Sequence, residues 1–216
     1  LKNNNLNNLI NFGSLELDSW CVIDICGDEE KVTDLLQGQV TSDINKISVN
    51  EFQLSSICNH KGLVMADFII NRSSKGFSFI VKNSISSTLL SELAPFAKFN
   101  SVTFKENNSK VIGMISNKNQ KLKEFAKNDH FSTYVYISNN ETESNSCITI
   151  ENWEAGNKIL GNYFLESNDI GKFRPLELNY DKLRVSFDKG CYRGQEIVAR
   201  MKYLGIDRRS FQTFIT

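Results

Sequence analysis

Runs of β-branched and aromatic residues recur along this chain at close spacing, and few helical stretches separate them. Trp20–Ile25 is one such run. Glu51–Cys58 and Leu63–Asn71 are two more, joined by His60-Lys61-Gly62, which predicts a hairpin. Phe77–Val81, Val102–Lys105, Val111–Ile115, Thr133–Ile137 and Cys147–Ile150 continue the series as strands. Gly27-Asp28 can turn and cap a helix running through Gln37, and Ser84–Phe96 reads as a helix with Leu89, Leu90 and Leu93 inward. Leu122–Ala126 and Trp153–Ile159 are shorter helical stretches. The order β-α-β-β-β-α-β, then β-α-β-β, holds too few helices for a doubly wound parallel sheet, in which each crossover needs one. The expected fold class is α+β, with mainly antiparallel sheets, flanking helices and two intimate lobes over roughly residues 15–105 and 106–205.

Composition narrows the class further. The chain has 216 residues, 40% of them hydrophobic, and 15 are Phe, enough for a sizeable core. With 2 Pro and 12 Gly it is not linker-rich. No apolar run reaches membrane-spanning length, and the polar opening LKNNNLNNL is no secretory signal, so the expected setting is the cytoplasm, with no membrane partner. Five cysteines, at positions 21, 26, 58, 147 and 191, form no C-x-x-C pair, and Cys21, Cys58 and Cys147 read as strand-core thiols. With only His60 and His130, a Ser-His-Asp triad or a multi-histidine metal site is not expected. Residues 172–209 carry ten Lys or Arg against five Asp or Glu, a local +5 in a chain of net charge zero. Such a stretch can meet a polyanion such as RNA, or serve as an ordinary solvated surface.

One stretch does not fit a packing role. Lys189-Gly190-Cys191-Tyr192-Arg193-Gly194-Gln195-Glu196 sets a thiol between two cations and two glycines at the start of a helical pattern. A helix beginning near Tyr192 would bring its positive end to Cys191, and Lys189 and Arg193 would add to the effect, favouring thiolate. Gln195 would share a helical face with Cys191, and Glu196 would pair with Arg200. Ile197, Val198, Met201 and Leu204 would form the buried stripe.

The octapeptide resembles the K-G-C-Y-x-G-Q-E motif of the YgfZ family, folate-binding proteins related to the glycine-cleavage T protein. Leu36-Gln37-Gly38-Gln39-Val40-Thr41-Ser42-Asp43 resembles that family's L-Q-G-Q-V-T-x-D segment, and the stretch from Asn59 to Asp67 resembles its x-x-K-G hairpin. Glu154-Ala155-Gly156 is similar to the E-A-G shared with the T protein. Arg184 departs from the pattern: a small residue is expected there, ahead of a Val185-Ser186-Phe187 strand. The resemblance implies a further C-terminal β-barrel domain, of which residues 206–216 would be only the start.

It also implies a ligand, tetrahydrofolate or a related reduced folate. Such a molecule needs an aromatic slot for its pterin, a carboxylate for the pterin N–H edge and cations for its glutamate tail. The resemblance assigns Glu154 to pterin recognition, Asp67 to the neighbourhood of the reactive folate nitrogen, and Trp20 and Trp153 to the pocket wall. Arg174 and Lys189 are the candidate tail cations. Each has a plainer role available: Trp20 as strand core, Glu154 as a first-turn helix carboxylate, Asp67 as the end of a hairpin face, Thr41 and Asp43 as caps, Gly38 and Gly62 as turns. The implied function is accessory. A monomeric folate-binding protein would support iron–sulfur enzymes such as those that thiolate tRNA, with Cys191 as its working thiol. One cysteine cannot hold a cluster alone, so it would share one with a partner or act as a redox or transfer thiol. Alternatives are a folate-dependent aminomethyl transferase and a tRNA-binding module built on the basic stretch.

Overall fold

The computed structural model describes residues 10–117, 125–138, 148–205 and 209–213. In chain order the elements are β1 (Gly13–Glu16), β2 (Trp20–Cys26), α1 (Glu29–Gln39), β3 (Glu51–Cys58), β4 (Val64–Ser73), β5 (Gly76–Lys82), α2 (Asn83–Phe99), β6 (Thr103–Asn107), β7 (Lys110–Ser116), β8 (Ala126–Lys127), β9 (Ser132–Ser138), α3 (Ile150–Ile159) and α4 (Gln195–Leu204), with short 3-10 turns between α3 and α4. They sort into two compact units, each assembled from separated stretches of chain.

The larger unit takes Ser19–Asn107 and Phe164–Phe211. Its sheet has five strands in the order β3-β4-β5-β2-β6, all antiparallel. The expected hairpin closes as Asn59 N–H donates to Leu63 O and Gly62 N–H to Asn59 O, both at 2.9 Å. Asp28 caps α1, its carboxylate accepting from the N–H groups of Glu30 and Lys31, with Glu29 and Glu30 in the first turn where the helix dipole favours them. α2 packs on the sheet through Ile85, Leu89, Leu93 and Ala97, a strict four-residue stripe; Leu90 is only half-buried.

The smaller unit draws on Leu1–Asp18, Asn108–Tyr163 and Gln212–Thr216, and carries the antiparallel sheet β1-β7-β9-β8. α3 lies on β7 and β9. Two glycines allow that approach. A Cβ at Gly113 would sit 2.7 Å from Trp153 Nε1, and one at Gly156 would sit 2.8 Å from Ile115 Cδ1. The glycine of the E-A-G stretch therefore serves a helix–sheet contact here. Among the described residues there is no closed barrel, and no helix is long and apolar enough to cross a membrane.

The α+β class and the antiparallel sheets are as the sequence predicts. Four local expectations need correction. Cys147–Ile150 is not a strand: Thr149 accepts from Asn152 N–H and caps α3, which starts at Ile150, while Cys147 lies outside the described residues. The predicted Leu122–Ala126 helix falls largely outside them, and Ala126 opens the two-residue strand β8. Val185-Ser186-Phe187 is irregular rather than extended in a sheet. Gly38 lies inside α1, not in a turn. β1 escaped the sequence because it is four residues long and opens with Gly and Ser.

Candidate functional site around the Cys191 loop

Three stretches singled out in the sequence meet within the larger unit. The segment ahead of α4 is stitched to the loop after α1. Thr41 Oγ1 donates to Arg184 O at 2.8 Å, and Ser186 N–H donates to Thr41 O at 2.9 Å. Lys189 Nζ donates to Val40 O at 2.7 Å and to Ser42 O at 2.9 Å. The β3–β4 hairpin turn closes the other side. Gly194, at φ 84°, lies so close to it that a Cβ would stand 2.4 Å from Asn59 O and 3.2 Å from Gly62 Cα. Gly62 needs its own positive φ of 70°, and a Cβ there would meet Ile197 at 3.0 Å. Gly62 and Gly194 are there for close approach of the two segments.

The loop so held presents Cys191. Its thiol is exposed, at a cleft of about 440 Å³ lined by His60, Cys191, Arg193 and the first turn of α4. Cys58, close to Gly194, is the opposite case: it is fully buried and burial pushes its pKa up to about 12. Cys21 is half-buried and also raised by burial, and Cys26 is exposed. Of the three thiols read as strand core, Cys58 is buried, Cys21 partly so, and Cys147 is outside the described residues.

The expected electrostatic setting of Cys191 is corrected at three points. α4 begins at Gln195, not near Tyr192, so Cys191 lies in irregular chain ahead of the helix and shares no helical face with Gln195. Lys189 is only 8% exposed and its ammonium is held by two carbonyls. Arg193 pairs with Glu92 at 2.9 Å and lies over Phe96. Gln195 instead folds back, its Oε1 accepting from Tyr192 N–H at 3.3 Å. Tyr192 is buried, and Glu196 pairs with Arg200 at 2.6 Å as expected. Val198 and Met201 form the buried stripe, whereas Ile197 is only half-buried and Leu204 is 66% exposed.

Burial pushes the Lys189 ammonium down to about 8 from the usual 10.5, with Asp43 opposing. Between those values the unfolded chain binds the extra proton, so this group makes stability rise with pH, by at most about 1.4 kcal/mol per pH unit. Above about pH 9 the raised Cys58 thiol acts in the opposite sense, and equally in both chains, so the Lys189 contribution is read as a difference: urea midpoints of the native chain should rise across that window relative to those of Lys189→Met.

The residues assigned to folate are placed as follows. Glu154 lies half-exposed on α3 of the smaller unit, 3.8 Å from Lys158, and Trp153 there is fully buried against Gly113. In the larger unit Trp20 is 6% exposed and meets Phe164 edge-on at 4.9 Å. Asp67 is 2% exposed; its Oδ1 accepts from Leu165 N–H at 3.1 Å, and its Oδ2 lies 3.4 Å from Arg184 Nη2. Burial raises the Asp67 pKa, and Arg184 is the strongest opposing influence. Arg174 is half-buried, its backbone N–H bonded to Glu177. Arg184, missed as a site residue, is 1% exposed, and its one signal in the sequence was a cation where a small residue was expected. The donor types suit a pterin, but the Asp67 carboxylate faces Arg184 and the Lys189 ammonium holds two carbonyls, so a folate would meet either group only by displacing its present partner.

No protein-family model matches the chain. It is 29% identical to the tRNA-modifying protein YgfZ of Buchnera aphidicola, over 90% of this chain and 70% of that protein. It is 28% identical to the protein of the same name from Escherichia coli, over 91% and 69%. Its fold is similar to the crystal structure of glycine cleavage system aminomethyltransferase T from Bartonella henselae, with a TM-score of 0.61 and 11% identity, covering 92% of this chain but only 65% of that one. The chain is therefore a relative of the YgfZ proteins, built on the fold of that aminomethyltransferase.

Proposed function

We propose that this chain is a cytoplasmic accessory protein of tRNA modification that binds a reduced folate and works through Cys191, in support of iron–sulfur enzymes that thiolate tRNA. The observation that carries this is an exposed thiol on a loop pinned from both sides at the mouth of a cleft. Pinning fixes where the sulfur stands, and exposure lets a partner reach it. A single thiol completes a cluster only together with ligands from a partner, or else serves as a redox or transfer group. The resemblance to the YgfZ proteins supplies the tRNA link.

Cys191→Ser is the direct test. Because the thiol is exposed, the variant should keep its stability within about 0.5 kcal/mol. Thiolated tRNA in cells that depend on this chain should nevertheless fall. Normal thiolation would end the thiol's role. Folate binding is read separately, by quenching of the two tryptophans on titration with tetrahydrofolate, in native chain and Trp20→Phe.

The aminomethyl-transferase alternative needs Asp67 available to a folate nitrogen, and here that carboxylate faces Arg184. A tRNA surface on the basic stretch is weakened because Arg184, Arg193, Arg200, Lys202 and Arg209 each pair with a carboxylate. Neither alternative gains support from the site.

A further inference from the structure

Asp67 lies on β4 among aromatic side chains, and the group that meets its carboxylate comes from the same chain. Arg184 Nη2 stands 3.4 Å from Asp67 Oδ2, and both side chains are shut off from solvent at 0% and 1% exposure. The guanidinium carbon lies 4.6 Å from the centre of the Phe164 ring and 4.5 Å from that of Tyr180. Trp20 backs Phe164 edge-on at 4.9 Å. A guanidinium is a flat plate whose N–H groups suit a carboxylate and whose faces lie on aromatic rings; here it meets Asp67 through one Nη2–Oδ2 approach at 3.4 Å rather than through a two-pronged fork. The 2-amino-pyrimidinone edge of a pterin is the same kind of object: flat, stackable, with adjacent N–H donors in an amidine arrangement. One carboxylate flanked by these rings accommodates one such plate at a time.

The backbone of Arg184 is anchored apart from its side chain. Its N–H donates to Tyr180 O at 2.7 Å, and its carbonyl accepts from Thr41 Oγ1 at 2.8 Å. These two bonds hold the segment by its backbone, whichever group faces the carboxylate. We infer that the Asp67 site is a receptor for a flat, amidine-edged ring that this chain fills with its own Arg184, so that an entering pterin has to displace the guanidinium. The identity of the ring rests on the folate binding proposed above; the self-occupancy does not.

The test uses the full chain as Arg184→Gly, which vacates the plate but keeps Asp67, with Asp67→Asn/Arg184→Gly as the control that removes the receptor charge. Millimolar guanidinium should raise the melting temperature of Arg184→Gly, methylammonium should not, and the double variant should respond to neither. If Arg184→Gly fails to fold alone, the same comparison is made on refolding yield with each cation present. Tetrahydrofolate should bind Arg184→Gly roughly tenfold or more tightly than the native chain. Guanidinium rescue with folate binding to neither chain keeps the self-occupied site and removes folate as its ring. Equal, measurable folate affinity in the two chains overturns displacement. No guanidinium-specific stabilisation, or an equal response in the double variant, overturns the inference whole.

Discussion

Gly194→Ala is expected to destabilise the larger unit by roughly 2–5 kcal/mol, from a backbone conformation alanine resists plus an overpacked contact. The residue sits at φ 84°, and its added methyl would stand 2.4 Å from Asn59 O. That oxygen cannot retreat freely, because it accepts the Gly62 N–H that closes the hairpin turn. The strain is therefore relieved by parting the turn from the Cys191 loop. Set against total stabilities of about 5–15 kcal/mol for ordinary domains, the loss is large. Gly190→Ala is the matched control: it lies in the same loop, its Cβ would meet nothing within 4 Å, and it should change stability by no more than about 0.5 kcal/mol. Urea unfolding of the two variants checks both numbers. Equal stability would mean that the two backbones do not approach as described. A stable Gly190→Ala that fails to support tRNA thiolation would instead mark Gly190 as the place where a partner's backbone comes close.

How much of this was readable in the sequence depends on the range of the forces involved. The β-runs and the Asp28 cap are local signals, and they predicted the strands and α1 closely. The convergence of the segments around Val40, Asn59 and Gly194 was foreshadowed only by their resemblance to known motifs. The bonds that make it, such as Lys189 to the carbonyls of Val40 and Ser42, span almost 150 residues and leave no periodic trace. Local reasoning failed where a tertiary partner changed a residue's task. Lys189 and Arg193 looked like cations for the thiol, but one ties down carbonyls and the other pairs with Glu92 on α2. Arg184 looked like an anomaly just ahead of a strand. It is the counterion of Asp67, a partner 117 positions away in the numbering of the chain.

That pair gives the second large effect. Asp67→Asn keeps the shape of the side chain and the acceptor for Leu165 N–H, yet leaves the Arg184 guanidinium buried without a counter-charge. Such a change should cost roughly 3–5 kcal/mol at neutral pH. Arg184→Met strands the opposite charge, and the consequences differ because a carboxylate can take up a proton whereas a guanidinium cannot lose one. Burial already raises the Asp67 pKa with Arg184 present, so without that cation it should rise further. A raised acid favours the fold while it is protonated, and the benefit disappears as pH climbs through its folded value. Arg184→Met should therefore recover stability on mild acidification, while Asp67→Asn, with no acid left at the position, should not. The double variant Asp67→Asn/Arg184→Met should stand above Asp67→Asn, since no charge is stranded. Thermal unfolding of the three variants at neutral and mildly acidic pH reads these outcomes. If Asp67→Asn lost tRNA thiolation but matched the native chain in stability, the carboxylate would be a working group meeting a ligand, and its partnership with Arg184 would carry no structural weight.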